Sequence, residues 1–548
     1  MKLIKKAVAF AGGLALSASG CMPSCNSCAD GSQRLAQRDV LRLTVASPPE
    51  AFDPRFTTSA VAQRISQLIY GRLFVVGDDL LPQPFLAESA ENVDDRTVKV
   101  TLREGLTFHD GSPLTARDVA YTFNHLGDDD VRSPHAVKFA EFLDNAQAIN
   151  DREVLFKLKR PYAPVLTDIA AIGIVSRKRC EGRSQTCKDE HAGSGPFRIK
   201  QWDAATETLT LQPHGGWFEG APKIKQLIVR VVRDPNTRLL ELLDGKTDLS
   251  EGELNPANIP TIEKSDRLVL KRVPGLGYTY LAMNVRPPQQ RVKGRQAAES
   301  ESDRTRRALS NPQVRRAIGH ALDIDGIIQT RLRGMAQRAA GMLPPGHWAL
   351  DSSLQPIPRN LDEAKRLLDA AGFADRGEKN GGRFRMTLST TPNRLRQSIA
   401  LVHTDSLRKV GIDVQLRAKE WSALYQDIKE GNFEMFSAIW VPVTEPDLFH
   451  WVFHSGNIPS PDNAGGNRGA FVDRELDTWL DEARVTMDRT KRIALYKKAQ
   501  QRLDEKLPYI PLWFEDRLVV FNKRVQGFTP TRTGSLLPLR KAWVREKP

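Results

Sequence analysis

Beyond residue 21, the 548-residue sequence has no apolar stretch long enough to span a bilayer as a helix. It has no G-x-x-x-x-G-K-[ST], and so no loop to cradle nucleotide phosphates. The run GLGYTY at 275–280 lacks the third glycine of a dinucleotide fingerprint and opens no helix. H-E-x-x-H and G-x-S-x-G are absent, as is any repeat of 20 to 50 residues. No spacing of acids, serines or histidines meets a catalytic requirement, so the sequence predicts a protein that is not an enzyme and carries no cofactor. A hydrolase stays open as an alternative, because triads are spatial rather than sequential. The net charge is +14, but the basic residues are interleaved with acids, which describes a solvated surface and predicts no nucleic-acid partner. Five cysteines are too few for a disulfide scaffold.

What is present begins with compartment. Lys2, Lys5 and Lys6 precede an apolar segment from Ala7 to Leu16, and Ala18-Ser19-Gly20-Cys21 follows. This reads as a signal peptide ending in a bacterial lipobox, with Cys21 as the lipidated residue. It predicts an exported lipoprotein held at the periplasmic face of the cell envelope. Residues 22–37 are small and polar, suited to a tether. Cys25 and Cys28 lie in it without a second ligand pair. Export permits disulfides, and Cys180 with Cys187 brackets a short polar loop that they are expected to close.

From Val40 onward, α/β patterning dominates. VLRLTVAS alternates as a strand, and Val61, Ile65, Leu68 and Ile69 share a helical face. Thr115 with Asp118 marks a helix start after the turn DGSP. Strands are predicted at 208–212, 224–232, 268–273 and 278–285. Helices are predicted at 235–245, 312–322, 324–333, 361–371, 395–410, 421–430, 473–487 and 490–506. Further strands are predicted at 384–390, 412–418 and 433–440. The charged stretch 286–310 reads as a surface insertion.

Several segments together resemble the extracytoplasmic solute-binding proteins of ABC importers, in the oligopeptide-, dipeptide- and nickel-binding cluster. They are DPRFTTSAVAQRISQLIYGRL, LREGLTFHDGSPLTARDVAYTF, GSGPFRI (193–199), YLAMNV (280–285), NPQVRRAIGHALD (311–323), LPPG (343–346), DEAKRLLDAAGF (362–373), KVGIDVQL (409–416) and YIPLW (509–513). The resemblance implies a periplasmic-binding-protein-like fold of two hinged lobes with an accessory domain. By its segments, lobe one would be 38–82, 193–277 and 510–548, the accessory domain 83–192, and lobe two 278–509. It implies a monomer that captures a peptide or peptide-like solute and hands it to a permease and ATPase. A non-peptide ligand such as a nickel chelate, haem or an oligosaccharide is the same-fold alternative, and a periplasmic chaperone a further one.

The site the resemblance implies lies partly in NFEMFSAIWVPVTEPDLFHWVFH, 432–454. Trp440, Ile439 and Val441 match a ligand-binding segment, Trp421 a pocket tryptophan, and Thr58, Ser59 and Ala60 the opposing segment of lobe one. The sequence departs from the family at Val443, where peptide binders carry an aspartate for the ligand's ammonium. Glu445 or Asp447 would have to supply that charge; otherwise the ligand has no free amine there, and Glu445-Pro446 is only a turn. His450 and His454, four apart, would share one face of a helix, as packing residues or as half of a metal clamp.

Overall fold

A computed structural model describes residues 39–129, 131–182, 193–251, 254–288, 300–377, 382–440, 442–460 and 463–545. Buried apolar side chains gather into three large cores. One is built on Leu41, Leu43, Ile65, Leu68, Phe197, Leu227 and Phe521. A second holds Val98, Val100, Phe123, Phe156 and Tyr162. The third and largest runs from Tyr278 to Phe514. A smaller cluster of Leu239, Leu242, Ile262, Leu268 and Val520 flanks the first.

The first core is a sheet with helices laid on it. Strand Val40–Val45 pairs in parallel with Gln226–Val231, which continues antiparallel into Thr208–Pro213 and Phe197–Asp203. Helix Ala60–Ile69 covers the sheet with Ala62, Ile65, Leu68 and Ile69 inward. Burial of each large side chain stabilises the fold by about 1.5–3 kcal/mol. The helix stops at Ile69, the last residue of the predicted apolar face, because Tyr70 turns extended and Phe74–Val76 pairs with Pro82–Pro84. Gly193 and Gly195 pass the end of this helix so closely that a Cβ on Gly193 would lie 1.9 Å from the Ile69 carbonyl. Gly195 N–H donates to that same carbonyl at 2.7 Å.

The second core lies under a four-stranded antiparallel sheet of Ala87–Asp94, Thr97–Leu102, Glu153–Leu158 and Leu143–Ala148. Val98, Val100 and Leu102 alternate inward as their sequence period requires. The helix after DGSP spans Ala116–Asn124, and the Asp118 carboxylate accepts the Thr115 backbone N–H at 2.9 Å, as the spacing predicts.

The third core packs helices against parallel strands Phe384–Thr390 and Ile412–Ala418, with Met435–Trp440 beside them. Two long strands enter it from the first core. Leu268–Met283 and Tyr509–Asn522 run antiparallel, pairing Leu268 with Asn522 at one end and Ala282 with Tyr509 at the other. The two strands predicted at 268–273 and 278–285 are therefore one, with a register shift between Val273 and Gly277. The shift falls where the strands pass from one core to the other. There Gly275 is pressed on its neighbour: a Cβ would lie 1.7 Å from the Glu515 carbonyl.

Part of the predicted insertion at 286–310 is also structured. Glu301–Ser310 is a helix capped by Ser300, with Thr305, Ala308 and Leu309 buried. Only three buried positions, one of them the hydroxyl-bearing Thr305, stand among many charges, which hid its period from the sequence. Residues 289–299 fall outside the described set, as do the signal segment, the tether with Cys21, Cys25 and Cys28, and Cys187. Cys180 is buried and disulfide-bonded. Among the described residues, no helix is long and apolar enough to cross a membrane.

Candidate functional site

Of the two tryptophans singled out in the sequence, Trp440 packs on the third core, and Trp421 stands exposed near it, linked through Tyr425 and Arg468. Trp440 ends the strand Met435–Trp440, whose partner is the linking strand, with Tyr278 opposite Trp440 and Thr279 opposite Ile439. Both Ile439 and Trp440 are half-buried, and Val441 falls outside the described residues. Trp421 opens helix Trp421–Glu430 and is 46% exposed. One turn on, Tyr425 stacks on it at 5.6 Å between ring centroids. The Arg468 guanidinium lies over the rings of both Tyr425 and Trp440, at 5.0 and 4.9 Å. Beyond Trp440 the rings continue, Tyr280 at 6.4 Å and then Tyr509 at 4.6 Å from Tyr280, all nearly parallel. The sequence reading missed Tyr425, Arg468, Tyr280 and Tyr509. Only Tyr425 carried a local signal, at i+4 from Trp421 on a helix.

On the first core, Ser59 caps helix Ala60–Ile69, its hydroxyl accepting from Ala62 N–H at 3.2 Å. The backbone N–H groups of Thr58 and Ser59 donate to the Glu50 carboxylate at 2.5 and 2.6 Å. Burial pushes the Glu50 carboxyl up, but hydrogen bonds from Ser59 and Thr58 outweigh it and bring its pKa down to about 2. Thr58 and Ala60 are exposed. Glu50, unmarked by any motif, thus occupies the donors that the resemblance assigns to a ligand.

Val443 is 0% exposed, and its N–H donates to the Leu276 carbonyl at 3.0 Å. It is a core residue beside the linking strand. The acids that follow are committed elsewhere. Glu445 pairs with Arg492 at 2.5 Å and accepts from the Thr167 hydroxyl at 3.1 Å. Asp447 lies 3.1 Å from Arg484 Nε, an ionic contact without hydrogen-bond alignment. Burial raises the Asp447 pKa to about 6, against the pull of Arg484. Lys138 and Tyr162 of the second core bind Asp168, which adds to the field on Asp447. Ala163 N–H donates to the Arg484 carbonyl at 2.8 Å. This buried network joins the second core to the third.

His450 and His454 stack at 4.4 Å, with Nε2 atoms 3.2 and 3.3 Å from the two oxygens of Asp481. The geometry has the outline of a metal site, but the hydrogen bonds oppose it. His454 Nδ1 accepts the Gly456 N–H at 3.0 Å, and His450 Nδ1 faces the Asn457 amide at 3.2 Å. Each ring therefore keeps its proton on Nε2, pointed at Asp481, where a metal would need a lone pair. The trio is a packed helix-to-helix contact.

Residues 82–460 match the family described as bacterial extracellular solute-binding proteins, family 5 Middle. The chain is 25% identical to the oligopeptide-binding protein AppA of Bacillus subtilis over 521 residues, 90% of each chain. It is 27% identical to the glutathione-binding protein GsiB of Pectobacterium atrosepticum over 506 residues, 90% of this chain and 92% of that one. The crystal structure of the ABC transporter substrate-binding protein CtaP from Listeria monocytogenes superposes with a TM-score of 0.80 at 23% identity, covering 92% of this chain and 99% of that one. Two cores bridged by paired strands and a family match across most of the chain agree: the protein belongs to the family 5 extracellular solute-binding proteins of ABC importers.

Proposed function

We propose that this protein is the lipid-anchored receptor of an ABC importer, taking a peptide or peptide-like solute between the first and third cores and delivering it to the permease. The observation that carries the reading is the pair of linking strands. Two antiparallel strands with a register shift at the crossing form a hinge that bends without unpairing either core. A solute that touches both lobes only when they are closed then stabilises the closed state, which is the state a permease would recognise. In this reading lobe one is 38–82, 193–277 and 510–548, the accessory domain 83–192, and lobe two 278–509.

The ligand site would be shared between the Thr58, Ser59 and Ala60 corner and the wall of Ile439, Trp440, Val441 and Trp421. Glu445 has a supporting role, because Arg492 already neutralises it. A solute without a free α-amine at Val443 suits this site, since a buried ammonium there would lack a counter-charge. Cys21 would carry the lipid, and Cys180 would pair with Cys187.

Native mass spectrometry of protein purified from its source, followed by small-angle scattering with the recovered solute, tests the assignment. The expected result is a retained small molecule and a smaller radius of gyration on its addition. Identical scattering with and without every recovered or candidate solute would refute it.

A further inference from the structure

Near Trp440 the structure holds a cation without an anion. Among the described residues Arg468 makes no ion pair, and its faces are covered by Tyr425 and Trp440. Lys429 also lies over Tyr425, at 5.3 Å. The acids on the neighbouring segment, Glu445 and Asp447, are taken by Arg492 and Arg484.

Buried polar atoms without partners collect around it. Tyr280 and Tyr509 are 0% and 4% exposed; the Tyr509 hydroxyl has no hydrogen-bond partner, and the Tyr280 hydroxyl faces Arg468 without full hydrogen-bond alignment. Trp440 Nε1 and Arg468 Nε are likewise unsatisfied. Native interiors leave few such atoms, and four in one aromatic column mark a place where something polar belongs. The positive field of Arg468 bears on both phenols.

The loop that presents Arg468 is held rigid. Asn467, 1% exposed, donates to the carbonyls of Phe453, His454 and Phe471 and accepts from Phe471 N–H at 3.0 Å. Ala470 is held at φ 55°, a conformation costly for any residue with a Cβ. Strain of this kind persists where surroundings over-determine a loop, and such loops cluster at ligand sites.

We propose that Arg468 is the anion-recognition residue of this receptor, its guanidinium edge taking a carboxylate of the bound solute in the slot between Tyr425 and Trp440. The proposal rests on the receptor reading above and adds the charge of the solute to it. An arginine stacked on aromatic faces keeps its in-plane N–H groups for a planar, bidentate partner. Behind Trp440 the stacked phenols of Tyr280 and Tyr509 lie within the field of Arg468, and with the Trp440 indole N–H they offer further donors beside it. The carboxylate could be a chain terminus or an acidic side chain.

The test is calorimetric titration of wild type, Arg468→Gln and Arg468→Lys with short peptides that have free ends, a C-terminal amide or an N-acetyl group, each with and without an acidic side chain. Loss of the recognised carboxylate is expected to weaken wild-type binding by about tenfold or more. Whether amidation or removal of the acidic side chain produces that loss identifies the source. Arg468→Gln should erase the difference, and a cooperative thermal unfolding transition of the solute-free variant shows separately that it is folded. Arg468→Lys should retain only part of the discrimination. Discrimination unchanged in Arg468→Gln, or absent in wild type, overturns the proposal while leaving the receptor reading standing. If neither these peptides nor any recovered or candidate solute binds or compacts the wild type, both fall.

Discussion

Glu445 shows how a residue changes meaning between sequence and structure. By position it is a candidate counter-charge for an ammonium; in space it is half of a buried pair with Arg492, also held by Thr167. Removing one member of such a pair strands the other charge, so Glu445→Ala should destabilise the fold by about 3–5 kcal/mol, read from urea unfolding. A loss of less than about 1 kcal/mol would mean that the pair is solvated. Asp447 titrates in the opposite sense to an ordinary paired acid. Its folded pKa is raised to about 6, so between its unfolded value of 3.8 and 6 the folded state binds the extra proton and stability falls as pH rises. His347, His403 and His450 oppose this. Burial lowers each to about 4 from 6.5, so the unfolded state binds the extra protons and stability rises with pH across that window. Three groups against one predict a wild type that weakens on acidification from pH 6.5 to 4. Asp447→Asn, which removes the opposing group, should weaken more steeply. Parallel stability-pH curves for the two proteins would contradict the assignment.

At the level of elements, the linking strands matter most. Gly275 sits at their register shift against the Glu515 carbonyl, and no side chain fits there. Gly275→Ala should cost about 1–3 kcal/mol in chemical unfolding and alter solute-induced compaction, because the strands must part locally to admit the methyl group. Helix Ala60–Ile69 was legible in advance because its apolar residues repeat at helical spacing, as was the helix after DGSP because Thr115 and Asp118 announce it. Helix Glu301–Ser310 was not legible: its buried stripe is only Thr305, Ala308 and Leu309, and burial there is decided by the distant strand Phe384–Thr390 and the residue before it, where the Arg383 and Arg385 carbonyls accept from Arg304 and Thr305.

For the whole molecule, the second core is more than an appendage. It reaches the third core through Ala163 to Arg484, Thr167 to Glu445, and Glu141 to Arg484. Arg532 makes a second tie, donating to the Pro345 carbonyl at 2.9 Å across from the first core. If the cores close over a solute as proposed, these contacts set the balance between the two forms. Arg484→Ala removes one anchor of that contact, and the solute-free variant should show a larger radius of gyration than wild type in small-angle scattering. An unchanged value would mean that these contacts do not hold the lobes together.

The order of apolar and polar residues along the chain was enough to predict the α/β layering, short motifs gave the export signal as an expectation and the absence of phosphate- and metal-hydrolase signatures, and a set of segments carried the resemblance to the family. Those properties are local: periods of two and 3.6, caps, turns and short motifs are written in neighbouring residues. The linking strands, the commitment of Glu445 and Glu50, and the aromatic slot around Arg468 needed the folded chain. Tyr425, Arg468, Trp440, Tyr280 and Tyr509 are scattered over more than two hundred residues and meet only because two distant strands pair and one loop is locked over them. Charge pairing and ring stacking act over a few ångströms in space, and separation along a sequence does not report that distance.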